Sequence, residues 1–272
     1  IKVKSDNLTE MNTPSRGITY LALTEKTKRH RDKLTGQYKF DNPDSNNFFK
    51  YFSVKAYSQY AKVDDNMDRT LARFVGSRGV TPQRTEERKY YLKNDAAGGE
   101  IEFKSNLNDK HQLTYGLDYS SADISRLRTT ISSYTGTSTA KDTPDTNIKR
   151  TGVYLQDEFS HGNFDFIAGL RYDNYELDAK TDSIVTNSDY ANDFSEDNLS
   201  PKFAATYNFN DNFSGYASYS KGFRAPTYYE LNGNFESSSR TYRVLSNPNL
   251  KSETSDGYEV GLRGNTNKAK FK

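Results

Sequence analysis

Hydrophobic and polar residues alternate along this chain with a period of two, the repeat of a strand with one apolar face. In the segment HQLTYGLDYS, Leu113, Tyr115, Leu117 and Tyr119 share one side, while Gln112, Thr114, Gly116, Asp118 and Ser120 take the other. Phe164, Phe166, Ala168, Leu170 and Tyr172 repeat the pattern against Asp165, Gly169, Arg171 and Asp173, with Ile167 out of phase. Val153, Leu155 and Phe159 stand against Tyr154, Gln156 and Glu158. Phe52, Val54, Ala56 and Tyr60 stand against Ser53, Lys55, Tyr57 and Gln59, and Tyr258, Val260 and Leu262 against Glu259, Gly261 and Arg263. The pattern predicts about ten strands, most of them longer than the usual 5–6 residues of soluble proteins.

The connections between these strands differ in length. Polar turns are expected at 106–110, 160–163, 209–212 and 264–268, and long loops near 63–84, 121–148, 180–197 and 224–251. Short and long connections therefore alternate, as in an up-and-down meander whose long loops all lie at one end. Transmembrane β-barrels have this asymmetry. Lys55, Glu158, Arg171 and Arg263 resist dry burial and suit a wet interior, and Gly116, Gly169 and Gly261 are expected to leave room inside it. The rival architecture is a soluble β-sandwich or solenoid with decorated loops. The stretch before residue 47 alternates more weakly, the basic run at 26–31 reads as a solvated turn, and the acidic run at 64–68 reads as a solvated loop.

Composition narrows the choice. Only 33% of the 272 residues are hydrophobic, yet the chain has 21 Tyr and 16 Phe. Such a chain needs a surface where aromatic side chains are useful, and a membrane–water interface or a half-buried sheet provides one. The 38 basic and 36 acidic residues nearly cancel, which argues against a nucleic-acid partner. There is no cysteine, so neither a disulfide framework nor a thiolate metal site is available. No apolar run reaches the roughly 18–20 residues of a membrane helix. The first residues include neither an initiating Met nor an apolar leader, and the last residues, KAKFK, begin another strand, so a fragment of a longer protein is expected. No nucleophile elbow, phosphate loop, dinucleotide fingerprint or HExxH occurs, and no enzyme activity is expected.

One stretch breaks the alternation. The segment 222–253 is aromatic, rich in Asn and Ser, and bounded by FRAP (223–226) and NPNL (247–250). YSKGFRAPTYYEL (219–231) followed by NPNLKSETSDGYEVGLRG (247–264) resembles TonB-dependent outer-membrane receptors, particularly the haem and haemoglobin branch. LTYGLDYS and IAGLRYD are similar to barrel strands of the same family, and the likeness is strong over 85–272 and weak over 1–84. The resemblance implies an all-β, antiparallel, up-and-down transmembrane barrel. This chain would supply about half of its 22 strands and lack the plug. It further implies residence in the bacterial outer membrane, energy from the TonB–ExbB–ExbD complex, and import of haem or haemoglobin-derived iron, with a siderophore receptor as the alternative. Haem or a ferric siderophore would then be a transported ligand, not a resident cofactor. A passive porin-like channel and a soluble carbohydrate-binding or adhesive protein are the further rivals.

In the haem branch a His between the two boxes ligates the iron, whereas the interval 227–246 contains none. Tyr228, Tyr229 and Tyr242 are its phenolic replacements if haem is bound, with Arg224 the partner of a propionate. Asn247 and Asn249 complete the candidate ligand-binding set. A second reading treats the tyrosines as aromatic loop residues and both boxes as barrel-to-loop hinges, since Pro removes a ladder donor and fixes φ.

Overall fold

The computed structural model describes residues 3–8, 18–42, 49–73, 84–185, 190–236, 243–265 and 270–271. Its strands in chain order are β1 (Val3–Leu8), β2 (Ile18–Asp41), β3 (Phe49–Arg73), β4 (Arg84–Asn108), β5 (His111–Ser132), β6 (Gly136–Ala140), β7 (Asp145–His161), β8 (Phe164–Lys180), β9 (Phe194–Asn210) and β10 (Phe213–Arg224). A short helix, α1 (Tyr228–Asn232), follows, then β11 (Phe235–Glu236), β12 (Arg243–Val244), β13 (Glu253–Asn265) and β14 (Lys270–Phe271). All except β11 and β12 belong to one open antiparallel sheet in which sequence neighbours pair, with β6 as a side flap on β5. β11 and β12 form a separate two-stranded ladder.

The two faces of this sheet are chemically distinct. Register places Tyr38, Val54, Ile101, Leu117, Val153, Tyr172 and Leu199 in one row across seven strands. The next row carries Phe40, Phe52, Phe103, Tyr115, Leu155 and Leu170. Phe103 packs tilted against Phe52 at 4.9 Å and stacks on Tyr115 at 5.3 Å. No second layer covers these rows: Val260 on the same face is 82% exposed, and Leu117, Leu155 and Leu170 are exposed as well. An uncovered apolar face this wide is the lipid-facing wall of a barrel, not half of a sandwich.

The inner face is polar, and here the glycines depart from expectation. Gly116 does not leave open space, because the ring of Tyr154 on β7 lies over it and the Tyr154 hydroxyl donates to Glu102 on β4 at 3.1 Å. Tyr216 covers Gly261 likewise and donates to Glu259 at 2.7 Å. A Cβ on Gly116 would also sit 2.4 Å from the Ile101 carbonyl oxygen. The missing side chains make room for neighbouring tyrosines, which bridge strands across the gap. Only Gly169 matches the expected vacancy, with nothing nearer than 3.7 Å to an added Cβ.

The strands also run further than hydropathy suggests. The turns fall at the expected positions, where β4 meets β5, β7 meets β8 and β9 meets β10. At the opposite end, however, β3 and β4 have 25 residues each and β5 has 22, well beyond the roughly 9–11 that cross a bilayer. Much of 63–84 and 121–148 is therefore strand. The basic run 26–31 lies inside β2 and the acidic run 64–68 inside β3, facing each other with Lys28 opposite Asp64 and Thr27 opposite Asp65. Thr27 donates to Asp65 at 3.1 Å. Beyond the membrane both faces of the sheet are wet, so hydropathy alternation vanishes while cross-strand pairing continues.

A different alternation replaces it. On these extensions Lys26, Lys28, Lys62, Lys89 and Lys93 point outward, whereas Arg29, Arg31, Arg69, Arg88, Arg126 and Arg128 point inward together with Lys33. Arg150, Arg171, Arg224 and Arg263 on the later strands also face inward.

The glycine geometry gives a paired test. Gly116→Val displaces Tyr154 and presses on a carbonyl, costing about 1–3 kcal/mol, whereas Gly169→Val is tolerated. Heat-modifiable gel mobility of the refolded protein in detergent reports both, and equal behaviour of the two variants would contradict the covering role of Tyr154.

Candidate functional site

The segment after β10 turns inward and lies on the inner face of the sheet, at the end opposite the short turns. Pro226 is buried and lacks the N–H needed to continue the ladder. Thr227 caps α1 in a full capping box: the Glu230 amide donates to the Thr227 hydroxyl at 3.3 Å, and the Thr227 amide donates to the Glu230 carboxylate at 2.8 Å. The helix is short because Gly233 closes it, its amide donating to the Tyr229 carbonyl at 2.9 Å.

What draws the helix inward is apolar. Leu231 is fully buried among Ile148, Tyr175 and Leu177, with Ile124, Phe194, Ala225, Tyr228 and Leu250 around them. The strand residues in this cluster sit on the face that is polar nearer the short turns, so the inner wall becomes hydrophobic just where the loop lands. Burying one such leucine is worth about 1.5–3 kcal/mol.

Polar contacts then tie this loop to two others. Asn232 is buried; its side-chain oxygen accepts from the Asn192 amide at 2.7 Å and its side-chain nitrogen donates to the Asn192 carbonyl at 2.8 Å. The Asn234 amide donates to the Asp142 carbonyl at 2.8 Å, and Tyr175 donates to the Pro226 carbonyl at 3.3 Å. A cleft of about 240 Å³ lies where the three loops meet, lined by Lys141, Asp142, Pro144, Val185, Tyr190 and Asn232. Lys141 is paired with Asp145 and Asp182, and the Lys141 ammonium, with the Val185 amide, holds the Asp182 carboxyl down at about 2.

The residues singled out from the sequence converge here. Arg224 sits between two carboxylates, Glu230 at 2.6 Å and Glu253 at 3.1 Å, which clamps the two ends of the loop together. Tyr228 is half-buried against the apolar cluster. The Tyr229 ring lies under the Arg126 guanidinium at 5.4 Å. Asn247 donates its amide to the Leu231 carbonyl at 3.1 Å, and its side chain accepts the Asn249 amide at 3.1 Å, so NPNL is an Asx-type turn that docks on the helix. Tyr242 lies outside the described residues.

Sequence reading missed Arg126, Arg128, Arg150 and Asn232. Arg150 stacks on Tyr175 at 5.3 Å and Arg128 on Phe235 at 5.4 Å, so the wall under the loop is built from arginines and aromatic rings. The signal was present in the alternation of SRLR at 125–128, but two polar faces hid it.

Docking depends on Leu231 and on the ionised Glu230. The Thr227 amide, together with Arg224 and the Thr227 hydroxyl, lowers the Glu230 carboxyl from 4.5 to about 2. A lowered carboxyl stabilises the loop fully above its unfolded value, and that support disappears as pH falls through about 2. Hydrogen exchange of the α1 amides should stay slow at pH 5 and rise below pH 4. Leu231→Ala should cost about 2–5 kcal/mol of local docking and expose 225–250 to protease at neutral pH. Protection unchanged in both experiments would contradict the inward seat.

Residues 4–272 match the family described as TonB dependent receptor-like, beta-barrel. Over 87 residues the chain is 32% identical to the ferrioxamine B receptor of Salmonella typhimurium strain SL1344, covering 32% of this chain and 12% of that protein. The fold is similar to that of the copper transporter OprC, with a TM-score of 0.59 at 16% identity, over 94% of this chain and 39% of the transporter. It is also similar to a double mutant of the Serratia marcescens hemophore receptor HasR, solved with its hemophore HasA and heme, with a TM-score of 0.51 at 14% identity over 90% and 43% of the two chains. This chain therefore spans less than half the length of these relatives. The lipid-facing aromatic rows, the alternating turns and the match over nearly every residue lead to one assignment: the chain belongs to the β-barrel family of TonB-dependent receptors, whose barrels reside in the outer membrane of Gram-negative bacteria.

Proposed function

We propose that the protein is an outer-membrane receptor that imports an iron carrier, haem or haemoglobin-derived iron being the first candidate and a ferric siderophore the second. Energy would come from TonB–ExbB–ExbD. The observation that carries the reading is the seating of residues 225–236 and 247–250 on the inner wall, with Arg224 clamping the two ends and Tyr229 laid over Arg126. A passive pore has no use for a mouth built from three laced loops. A receptor uses it to place aromatic and cationic side chains around a ligand too large to diffuse through.

Two observations bear on the ligand. Tyr229 is within the loop and half-exposed, so its phenol is available to ferric iron once the ring leaves Arg126. Tyr228 instead packs against the apolar cluster, and Asn247 and Asn249 are engaged in the turn. Ligation by Tyr228 would require part of the seat to come apart, which favours a siderophore held by side-chain contacts as the second reading.

Haem titration of the complete receptor separates the two. With haem as ligand, Tyr229→Phe shifts the Soret band and weakens binding about tenfold or more, Tyr228→Phe has a smaller effect, and Tyr242→Phe is read in parallel. An unaltered Soret band in all three variants removes the tyrosines as ligands. Absence of any haem band in the wild type, with iron uptake from a siderophore intact, selects the second reading.

A further inference from the structure

The lipid-facing wall is not evenly filled. On β7 and β8 large rings meet along it: Phe159 lies 5.0 Å from Phe166, and Phe166 lies 5.5 Å from Phe164. Register carries the Phe166 row onto β9, β10 and β13 as Ala205, Ala217 and Val260. The Phe164 row continues as Tyr207, Gly215 and Leu262. The floor therefore drops to Ala205, Gly215 and Ala217, none with more than a methyl group, and a groove of about 500 Å³ opens over it. Phe164, Tyr207 and Phe209 wall it on the β8–β9 side, and Val260 and Leu262 on the β13 side. A Cβ added to Gly215 would stand 3.2 Å from the Phe209 ring and 3.3 Å from a Leu262 methyl, so a side chain there would block the groove. Two residues further from the turn, the rings of Tyr219 and Tyr258 lie 5.1 Å apart and close its upper end.

The depth of the groove in the membrane follows from the turns. Gly215 is two residues from Phe213, where β10 leaves the short turn after β9. Short turns of such barrels are periplasmic, so the groove opens toward the periplasmic leaflet. All four strands that build it are paired within this chain.

Shape decides what fills it. Lipid tails are as apolar as leucine, so no hydrophobic gain selects an occupant, but lining atoms that face a void forfeit their dispersion partners. A flexible acyl chain can follow a narrow groove between rings. A second copy related by a two-fold axis would set hollow against hollow and leave the gap. Tyr207 lies on the rim, exposed, and its hydroxyl has no hydrogen-bond partner among the described residues. A phenol at the membrane–water interface can donate to the ester or phosphate of a headgroup.

We propose that this groove is a lipid site that holds one acyl chain of a periplasmic-leaflet phospholipid, with Tyr207 at the headgroup. The assignment rests on the lipid-facing wall and is independent of the ligand that the receptor imports.

The test uses the complete receptor, extracted in mild detergent, depleted of lipid and titrated with palmitoyl-oleoyl phosphatidylethanolamine. Native mass spectrometry counts both the lipids retained and the copies of the chain. Wild type should keep a lipid under detergent washing that strips it from Ala217→Phe, whose ring fills the floor. Tyr207→Phe should keep it less well than wild type, and Val153→Phe, which adds a ring to the wall outside the groove, should match wild type. Heat-modifiable gel mobility checks the folding of each variant, and Ala205→Leu reads the same floor if Ala217→Phe does not fold. Equal retention by wild type and the folded floor variant overturns the site, as does a wild type that retains no lipid. An equal loss in Val153→Phe also overturns it, by making retention a property of the whole wall. A dimer without lipid that the floor variant abolishes overturns it in favour of a second copy.

Discussion

Hydrocarbon offers no water to an unpaired amide or carbonyl, and this constraint shapes the whole molecule. A chain that crosses lipid with strands must pair every backbone group with a neighbour, so its strands join into one continuous antiparallel ladder. The main sheet here does so over hairpin after hairpin, with few register shifts along its long strands. Once pairing is fixed, side chains have only two destinations. Period two then becomes a division between lipid and water, and the rows through Val153 and Leu155 on one face and Tyr154 and Gln156 on the other follow from it.

The same division explains which parts of the structure were legible in the sequence. Where one face meets lipid and the other meets water, as in Leu113–Tyr119 and Phe164–Tyr172, alternation is sharp and the strands stand out. The turns at 109–110, 162–163 and 211–212 were equally plain, because polar residues interrupt apolar periodicity. Above the membrane both faces are wet, and hydropathy loses its contrast. Lys26, Lys28 and His30 therefore read as a turn although they occupy alternate positions of a 24-residue strand. Their opposite numbers in β3, Asp64 and Asp65, were hidden for the same reason, since a cross-strand pair is invisible to a one-dimensional scan.

Glycine was legible as a choice but not as a purpose. A missing side chain on the inner face implies space, and the sequence does not say whether a ligand or a neighbour fills it. At Gly116 and Gly261 the occupants are Tyr154 and Tyr216, each with its hydroxyl on a glutamate. Packing a ring over a backbone without a Cβ restores contact area to a weak point in the ladder and keeps two strands in register. Inner-face tyrosines of this kind belong to the wall itself. Those of α1 do not, because the ladder does not require them.

The loop illustrates how the rule is broken to a purpose. Ile124, Ile148 and Leu177 are apolar on the face that should be wet, and as separate strand residues they look like lapses of alternation. Their register brings them together at one end of the sheet, and Leu231 covers them. A hydrophobic spot on a watery wall is unstable until something sits on it, and the chain supplies its own cover, Leu231, from 54 residues or more away in sequence. The candidate ligand residues therefore rest on a seat defined by apolar contacts, with Asn232 and Arg224 fixing its orientation. A loop so seated keeps its shape through apolar contact, side-chain hydrogen bonds and the Arg224 clamp acting together.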